Sequence, residues 1–409
     1  MRDRRVPRPL QHPAFLRVWS VSLLAYLARF IDYTVVAWLV GQHWDSPLAI
    51  GLLIFFRFSP FFLIGPFVGL IADRFPRIRI VRIAQAGMGS VSLIFGLLLI
   101  ASLAPLTVLY AYVFLNGMLF LLDMTARRTY FSGVVGRRQI TSALALDMIS
   151  LNMAWFVGSN AAGALLNSVD PGYIYIGLGL IGYLNVSLLR GLPVLFHPTA
   201  DERRESFLNS FRRGLRFVRG NRVIVGLLLA VGLTNMSGFT FESMIAVIAR
   251  DQFDAGPLLF GLLLSAQGMG SLVIAVLLAM THWRARHHGS MVLVTAFFMH
   301  LLAAGLSWLV WAPAGFALLL VLGMIAMGFS IMHNSMLLMI TPDRMRGRIV
   351  GIQAVVLGLF PVGSLGLGVL AEVLGPAEAI RFVAFGGIGL LVLIAVAYPE
   401  LRRPIEFLE

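Results

Sequence analysis

Apolar stretches long enough to cross a hydrocarbon core of about 30 Å, which takes roughly 20 helical residues, recur along this chain from end to end with short interruptions. Their approximate bounds are 15–40, 47–71, 79–103, 106–124, 140–167, 172–194, 223–249, 257–281, 290–310, 313–340, 349–374 and 379–398. Only helices and closed barrels satisfy every backbone polar group in lipid. A barrel strand alternates apolar and polar positions over about 10 residues, whereas these runs are continuously apolar. The expected fold class is an all-α polytopic membrane protein with twelve transmembrane helices. Composition agrees: 59% of the residues are hydrophobic, 12% are charged, and the mean hydropathy is +0.87, values foreign to an ordinary soluble domain.

Basic residues fix the expected orientation, because Lys and Arg are retained on the cytoplasmic side during insertion. All 32 are arginine, and 28 of them fall in the terminal segments and alternate loops that share one side. Arg250 and Arg381 lie near the opposite ends, and Arg29 and Arg57 lie within spans. Both termini are therefore expected in the cytoplasm, with the chain in the inner membrane. The net charge of +13 is spread over short loops and matches no nucleic-acid-binding fold; topology and anionic headgroups account for it. The N-terminal segment has the charge of a signal peptide, but the apolar run behind it is too long and lacks a small-residue cleavage site, so it reads as a retained first helix. With no cysteine in the chain, disulfides and thiol chemistry are excluded.

The longest hydrophilic stretch, His197 to Arg222, divides six spans from six. It suggests an N-terminal six-helix bundle over 1–196, a cytoplasmic amphipathic linker over 197–222 and a C-terminal six-helix bundle over 223–409. Within the linker Phe207, Phe211, Leu215 and Val218 oppose Arg212, Arg213, Arg216 and Arg219, a pattern suited to the cytoplasmic membrane face. The halves also repeat. Pro47-Leu-Ala-Ile-Gly51-Leu-Leu53 parallels Pro257-Leu-Leu-Phe-Gly261-Leu-Leu263 at an offset of 210 residues, and the same offset sets Asp32 on Glu242 and Arg57 on Gln267. Transporters built from two repeated bundles place their pathway at the repeat interface and alternate its access by rocking.

Gly69-Leu-Ile-Ala-Asp73-Arg74-Phe75-Pro76-Arg77-Ile-Arg79 resembles the signature loop of the major facilitator superfamily between its second and third spans. It departs from that pattern at Pro76 and Ile78. The second-half counterpart carries Trp283 where Asp73 stands, followed by Arg284, Arg286, His287 and His288. Pro342-Asp343-Arg344-Met345-Arg346-Gly347-Arg348, then Pro361-Val-Gly363-Ser364 and Gly368-Val-Leu-Ala371-Glu372, together with Phe15-Leu-Arg17-Val-Trp19, Trp38-Leu-Val and Ser46-Pro47-Leu48-Ala49, are similar to the enterobactin-exporter-like branch. The resemblance covers nearly the whole chain and implies the major facilitator fold and export of siderophores or drugs. It also implies that Asp73 latches the cytoplasmic side against a helix N-terminus, where the dipole favours an anion. The fifth span reads Gly158-Ser159-Asn160-Ala161-Ala162-Gly163, with Ser159 where antiporters of the superfamily tend to carry proline.

A charge in hydrocarbon costs from about 3 to more than 10 kcal/mol, so each intramembrane ionisable group should face a cavity or a partner. Arg29 and Asp32 share a helix face. They are either a structural pair or a site where Asp32 exchanges a proton or a cationic substrate. Glu242 has no basic residue one turn away in its own span and is the stronger proton-binding candidate, since taking up a proton offsets the cost of burying its charge. Arg57 could pair with Asp32 or bind an anionic substrate, and Gln267 joins this pathway set. Asp123, Arg127, Arg128 and Asp147, with Asp73, Arg74 and Arg77, are the candidate cytoplasmic gate, whose charges would switch partners between states. Asn152, Asn235, Phe239, His333 and Asn334 are candidate pathway polar and aromatic groups. Asn160, Asn185, His300 and Gln353 share that reading, with bonding between helices as the alternative.

No HExxH helix, metal-spaced Cys/His set, phosphate loop or Ser-His-Asp arrangement occurs, so neither substrate chemistry, ATP hydrolysis, a cofactor nor a metal is expected. The expectation is a monomeric secondary active transporter exporting a small amphipathic molecule, with protons as coupling ion and the bilayer as its surroundings. Uptake or facilitated passage of a small organic solute is the transport alternative, and a transport-inactive receptor or scaffold is the alternative of another class.

Overall fold

A computed structural model describes residues 9–44, 46–65, 68, 75–136, 139–194, 207–280 and 288–403. The described residues form helices and connecting turns, with no strand among them. The first half contains α1 (Pro13–His43), α2 (Pro47–Leu63), α3 (Arg77–Ile100), α4 (Leu106–Val135), α5 (Ile140–Leu166) and α6 (Pro171–Leu188). The amphipathic α7 (Phe207–Arg219) follows. The second half runs through α8 (Arg222–Leu233), a π-helical turn (Thr234–Gly238), α9 (Phe241–Asp251), α10 (Pro257–Met280), α11 (His288–Leu306), α12 (Ala312–Met339), α13 (Asp343–Leu357), α14 (Phe360–Leu374) and α15 (Pro376–Ala397). Among the described residues ten segments are long and apolar enough to cross a bilayer, with α8–α9 and α13–α14 each counting as one. The 17-residue α2 and the 18-residue α6 stand at the places of the other two expected spans.

The helix starts follow from local chemistry. Five of them open on proline, at Pro13, Pro47, Pro171, Pro257 and Pro376, because the first turn leaves N–H groups without intrahelical partners and a residue lacking one loses nothing there. Asp170 caps α6 by accepting from the Gly172 N–H at 2.8 Å, and Asn221 caps α8 by accepting from the Ile224 N–H at 3.1 Å; such caps contribute about 1 kcal/mol each.

The order of helices repeats between the halves, with matching starts 203 to 211 residues apart. α2 starts at Pro47 and α10 at Pro257, α1 matches α8–α9, α3 matches α11, α4 matches α12, α5 matches α13–α14 and α6 matches α15. The copies differ in continuity. α1 and α5 run unbroken, whereas their counterparts are interrupted by the π-helical turn and by a turn at Gly358–Leu359.

Two compact units emerge, one of residues 1–36 and 63–199, the other of 37–62 and 200–409, so that α1 contributes to both and α2 belongs to the second. In the first unit α3 and α6 meet backbone to backbone; a Cβ on Gly182 would stand 2.7 Å from the Gly89 Cα. Its core gathers Phe15, Val18, Ile78, Tyr130 and Phe131. In the second unit the apolar stripe of α7, with Phe211, Leu215 and Val218, packs into the cluster that holds Ile224, Ile349 and Ile352. That stripe is covered by protein, while Arg212, Arg213, Arg216 and Arg219 are exposed.

Candidate transport-coupling site

Asp32 stands on α1 with only 3% of its surface exposed. Two phenols converge on its Oδ1: Tyr112 of α4 donates at 2.9 Å and Tyr175 of α6 at 3.1 Å. Hydrogen bonds to a carboxylate are stronger than neutral ones, contributing about 1.5–3 kcal/mol each, and they hold the group where burial alone would not. The rings are themselves fixed. Phe95 stacks on Tyr112 with centroids 4.2 Å apart and meets Tyr175 edge-on at 4.7 Å. The Tyr112 hydroxyl also accepts from Asn116 Nδ2 at 3.2 Å. Arg29, one turn back on α1, is buried, lies 4.6 Å over the Phe120 ring and reaches Asn116 Oδ1 at 3.5 Å. The guanidinium is thus spread over an aromatic face and an amide, an arrangement that eases its burial.

A second cluster lies further along α4. Asp123 and Arg127, one turn apart, form an ion pair at 3.1 Å with neither side chain exposed. Arg128 pairs with Asp147 of α5 at 2.9 Å, and Tyr26 of α1 donates to the same Asp147 oxygen at 2.9 Å. The Arg127 guanidinium lies 4.7 Å over the Tyr26 ring, so this tyrosine touches both pairs. Four of the seven residues predicted for the gate are brought together here. Arg77 opens α3, whereas Asp73, Arg74 and the second-half residues 281–287 lie outside the described residues.

The second unit holds the remaining candidates. Glu242 sits half-buried in the first turn of α9 and receives Gln267 Nε2 of α10 at 3.4 Å, a long contact. Arg57 is fully buried on α2. Asn235 bonds back to the Val231 carbonyl at 2.9 Å within its own helix, as Asn152 of the first unit does to Met148 at 2.9 Å. His333 contacts the Phe329 carbonyl at 2.8 Å, and Phe239 meets the Phe329 ring at 6.2 Å. Asn334 is exposed and accepts from Gln353 at 2.9 Å.

Sequence reasoning did not single out Tyr26, Gln85, Tyr112, Asn116 or Tyr175. Gln85, inside an apolar stretch of α3, and the Tyr112–Asn116 pair one helical turn apart were the available signals.

Comparison with known proteins decides the family. The profile of the family described as transmembrane secretion effector matches residues 7–405. The chain belongs to that family, within the major facilitator superfamily. This secretion effector family member is 27% identical over 399 residues to the enterobactin exporter EntS of Shigella boydii serotype 18, covering 96% of this chain and 93% of that protein. It has the same identity and coverage to EntS of Escherichia coli O139:H28. Among solved structures, a bacterial homologue of the human lysosomal transporter Spinster, inward-facing and occupied, superposes with a TM-score of 0.74 at 14% identity, covering 98% of each chain. The nucleoside transporter NupG gives 0.66 at 13% identity, covering 94% of this chain and 99% of that one. The fold is the major facilitator fold, and the protein is a multi-pass membrane transporter rather than an enzyme.

Proposed function

We propose that this transporter exports a siderophore-like amphipathic molecule across the inner membrane in exchange for protons, with both termini in the cytoplasm and the monomer as working unit. The observation that carries the export reading is the likeness to enterobactin exporters over 96% of the chain. Proton coupling is supported by Asp32, a buried carboxyl held by two phenols beside a buried arginine. In this reading Asp32 takes up a proton in one access state and releases it in the other. The Asp123–Arg127 and Asp147–Arg128 pairs exchange partners as a cytoplasmic gate, with Tyr26 positioned to follow the exchange. Glu242 is a second proton-binding candidate, Arg57 and Gln267 are candidate substrate contacts, and the six-helix halves over 1–196 and 223–409 supply the two rocking bundles.

The test is transport by purified protein in liposomes under an imposed pH gradient, across a panel of siderophores and cationic dyes, comparing wild type with Asp32→Asn and Glu242→Gln. Gradient-driven movement that disappears in a folded Asp32→Asn variant supports the assignment. Full activity in both variants removes the two acids from coupling.

A further inference from the structure

Inside the first unit, between α1, α3, α4 and α6, lies a cavity of about 30 Å³. That is room for a water or two and far too small for an amphipathic cargo. Its lining runs from Ala25 to Asp32 on α1, from Gln85 to Ser92 on α3 and from Leu178 to Asn185 on α6. Seven residues of helix rise about 10 Å, so the cavity is a narrow slot parallel to the helix axes. Asp32, Ser92 and Tyr112 mark one end, and Gln85 and Asn185 the other.

Hydrogen-bond bookkeeping shows what the far end lacks. The Asp123 carboxylate, paired with Arg127, only accepts, so Gln85 presents Nε2 to it at 2.9 Å. The Gln85 Oε1 then faces Asn185 and accepts from its Nδ2 at 2.9 Å. This orientation leaves Asn185 Oδ1 buried with no partner among the described residues, on a residue with 0% exposure that lines the slot. An orphaned buried acceptor is costly unless a donor reaches it, and a slot that is polar at both ends is a place where water supplies one.

We propose that the slot is a proton path internal to the first unit. Waters held between Asn185 Oδ1 and the Asp32–Tyr112–Asn116 cluster deliver the proton that Asp32 binds and take back the one it releases, and the Gln85–Asn185 amide pair closes the inner end. An amide does not hand a proton along as water or a hydroxyl does, so exchange past this pair toward Asp123 requires the pair to part. The groups facing Asp32 are Arg29 on its own helix, Tyr112 on α4 and Tyr175 on α6, while α3 offers Ser92 and no charge. Asp123 faces Arg127 on α4, with Asp147 on α5 near enough to interact electrostatically. The inference rests on the proton-binding reading of Asp32 and adds the route.

The experiment is infrared spectroscopy of the full-length protein in liposomes, following exchange of the Asp32 carboxyl band with D₂O. Loss of the band in Asp32→Asn assigns it. Asn185→Leu removes the orphaned acceptor and fills the inner end; Ser92→Val narrows the outer end with a smaller change, so that one folded variant suffices. Exchange slowed on the order of tenfold in a variant that melts like wild type is the expected result, because the bridging waters are gone. Exchange at the wild-type rate in the folded variants overturns the route, as does the absence of any carboxyl band lost in Asp32→Asn. Cargo movement in the same liposomes judges coupling separately. Transport that follows the pH gradient while slot variants exchange normally refutes the slot alone; slowed exchange with transport indifferent to the gradient refutes coupling alone.

Discussion

Tyr112 donates to Oδ1 of Asp32 at 2.9 Å, across 80 residues of chain, while its ring stacks flat on Phe95 at 4.2 Å. One side chain thereby ties the acid of α1 to the aromatic interior of the first unit. Tyr112→Phe keeps the stacking and deletes the donor, so a loss of about 1.5–3 kcal/mol is expected. Tyr112→Ala also deletes the ring, for about 3–5 kcal/mol. Thermal unfolding in detergent should rank them in that order; a Tyr112→Phe variant as stable as wild type would mean that the hydrogen bond contributes nothing, and equal losses that the ring adds nothing.

The buried Asp123–Arg127 pair gives a second expectation. Arg127→Leu strands a carboxylate where neither partner is exposed and should cost about 3–5 kcal/mol, whereas the double change Asp123→Leu with Arg127→Leu should restore most of that stability. Gradient-driven transport should stay lost in the double variant if the pair works as a gate. A double variant that transports normally would leave the pair a purely structural feature.

At the break in the seventh span, α14 lies against the π-helical turn so closely that a Cβ on Gly363 would stand 2.1 Å from the Met236 carbonyl oxygen. Gly363→Ala should therefore lower folded yield and melting temperature sharply, since backbone has to move. One turn along the same helix, Gly366 has open space around it, and Gly366→Ala should be neutral or stabilising by up to about 1 kcal/mol. Similar melting of the two variants would contradict the close approach.

Outside the spans, the Glu400 carboxyl is held below its ordinary range by its own backbone N–H and by Arg222, 2.9 Å away. A group depressed in this way adds stability above its unfolded-state pKa and loses it as pH falls through the folded value. The contact is exposed and its effect small. Glu400→Gln should flatten the acid limb of the stability profile slightly and leave the alkaline limb unchanged, as pH-resolved melting would show.

The spans were legible because a bilayer admits so few solutions: continuous apolar runs and arginine-rich alternate loops leave helices as the reading. Arg29 and Asp32 were legible as charges sharing a helix face, and Asp123, Arg127, Arg128 and Asp147 as one charged group, but the pairing of Asp123 with Arg127 was not. Tyr112 and Tyr175 were not, because aromatic residues are ordinary in membrane helices and only the meeting of α1, α4 and α6 gives these two a common target. Nor did the linker pattern distinguish a stripe destined for lipid from one covered by α8 and α13, as both demand the same amphipathic helix. The interruption of the eighth and ninth helices was hidden too, for Thr234–Gly238 reads as an unremarkable continuation of an apolar run.

That hidden turn alters what the repeat means. Phe239 N–H bonds to the Thr234 carbonyl five residues back, and a wider turn of this kind absorbs an extra residue. Each residue of helix is about 100° of rotation, so the side chains beyond it face a direction different from those at matching positions of unbroken α1. Glu242 keeps its place in the count from Asp32, yet two tyrosines attend one acid and a single distant glutamine the other. The matching positions differ in residue as well as in direction: at the same offset Tyr112 and Tyr175 correspond to Leu322 and Phe385, so the two halves keep both carboxyls while only one keeps the donors.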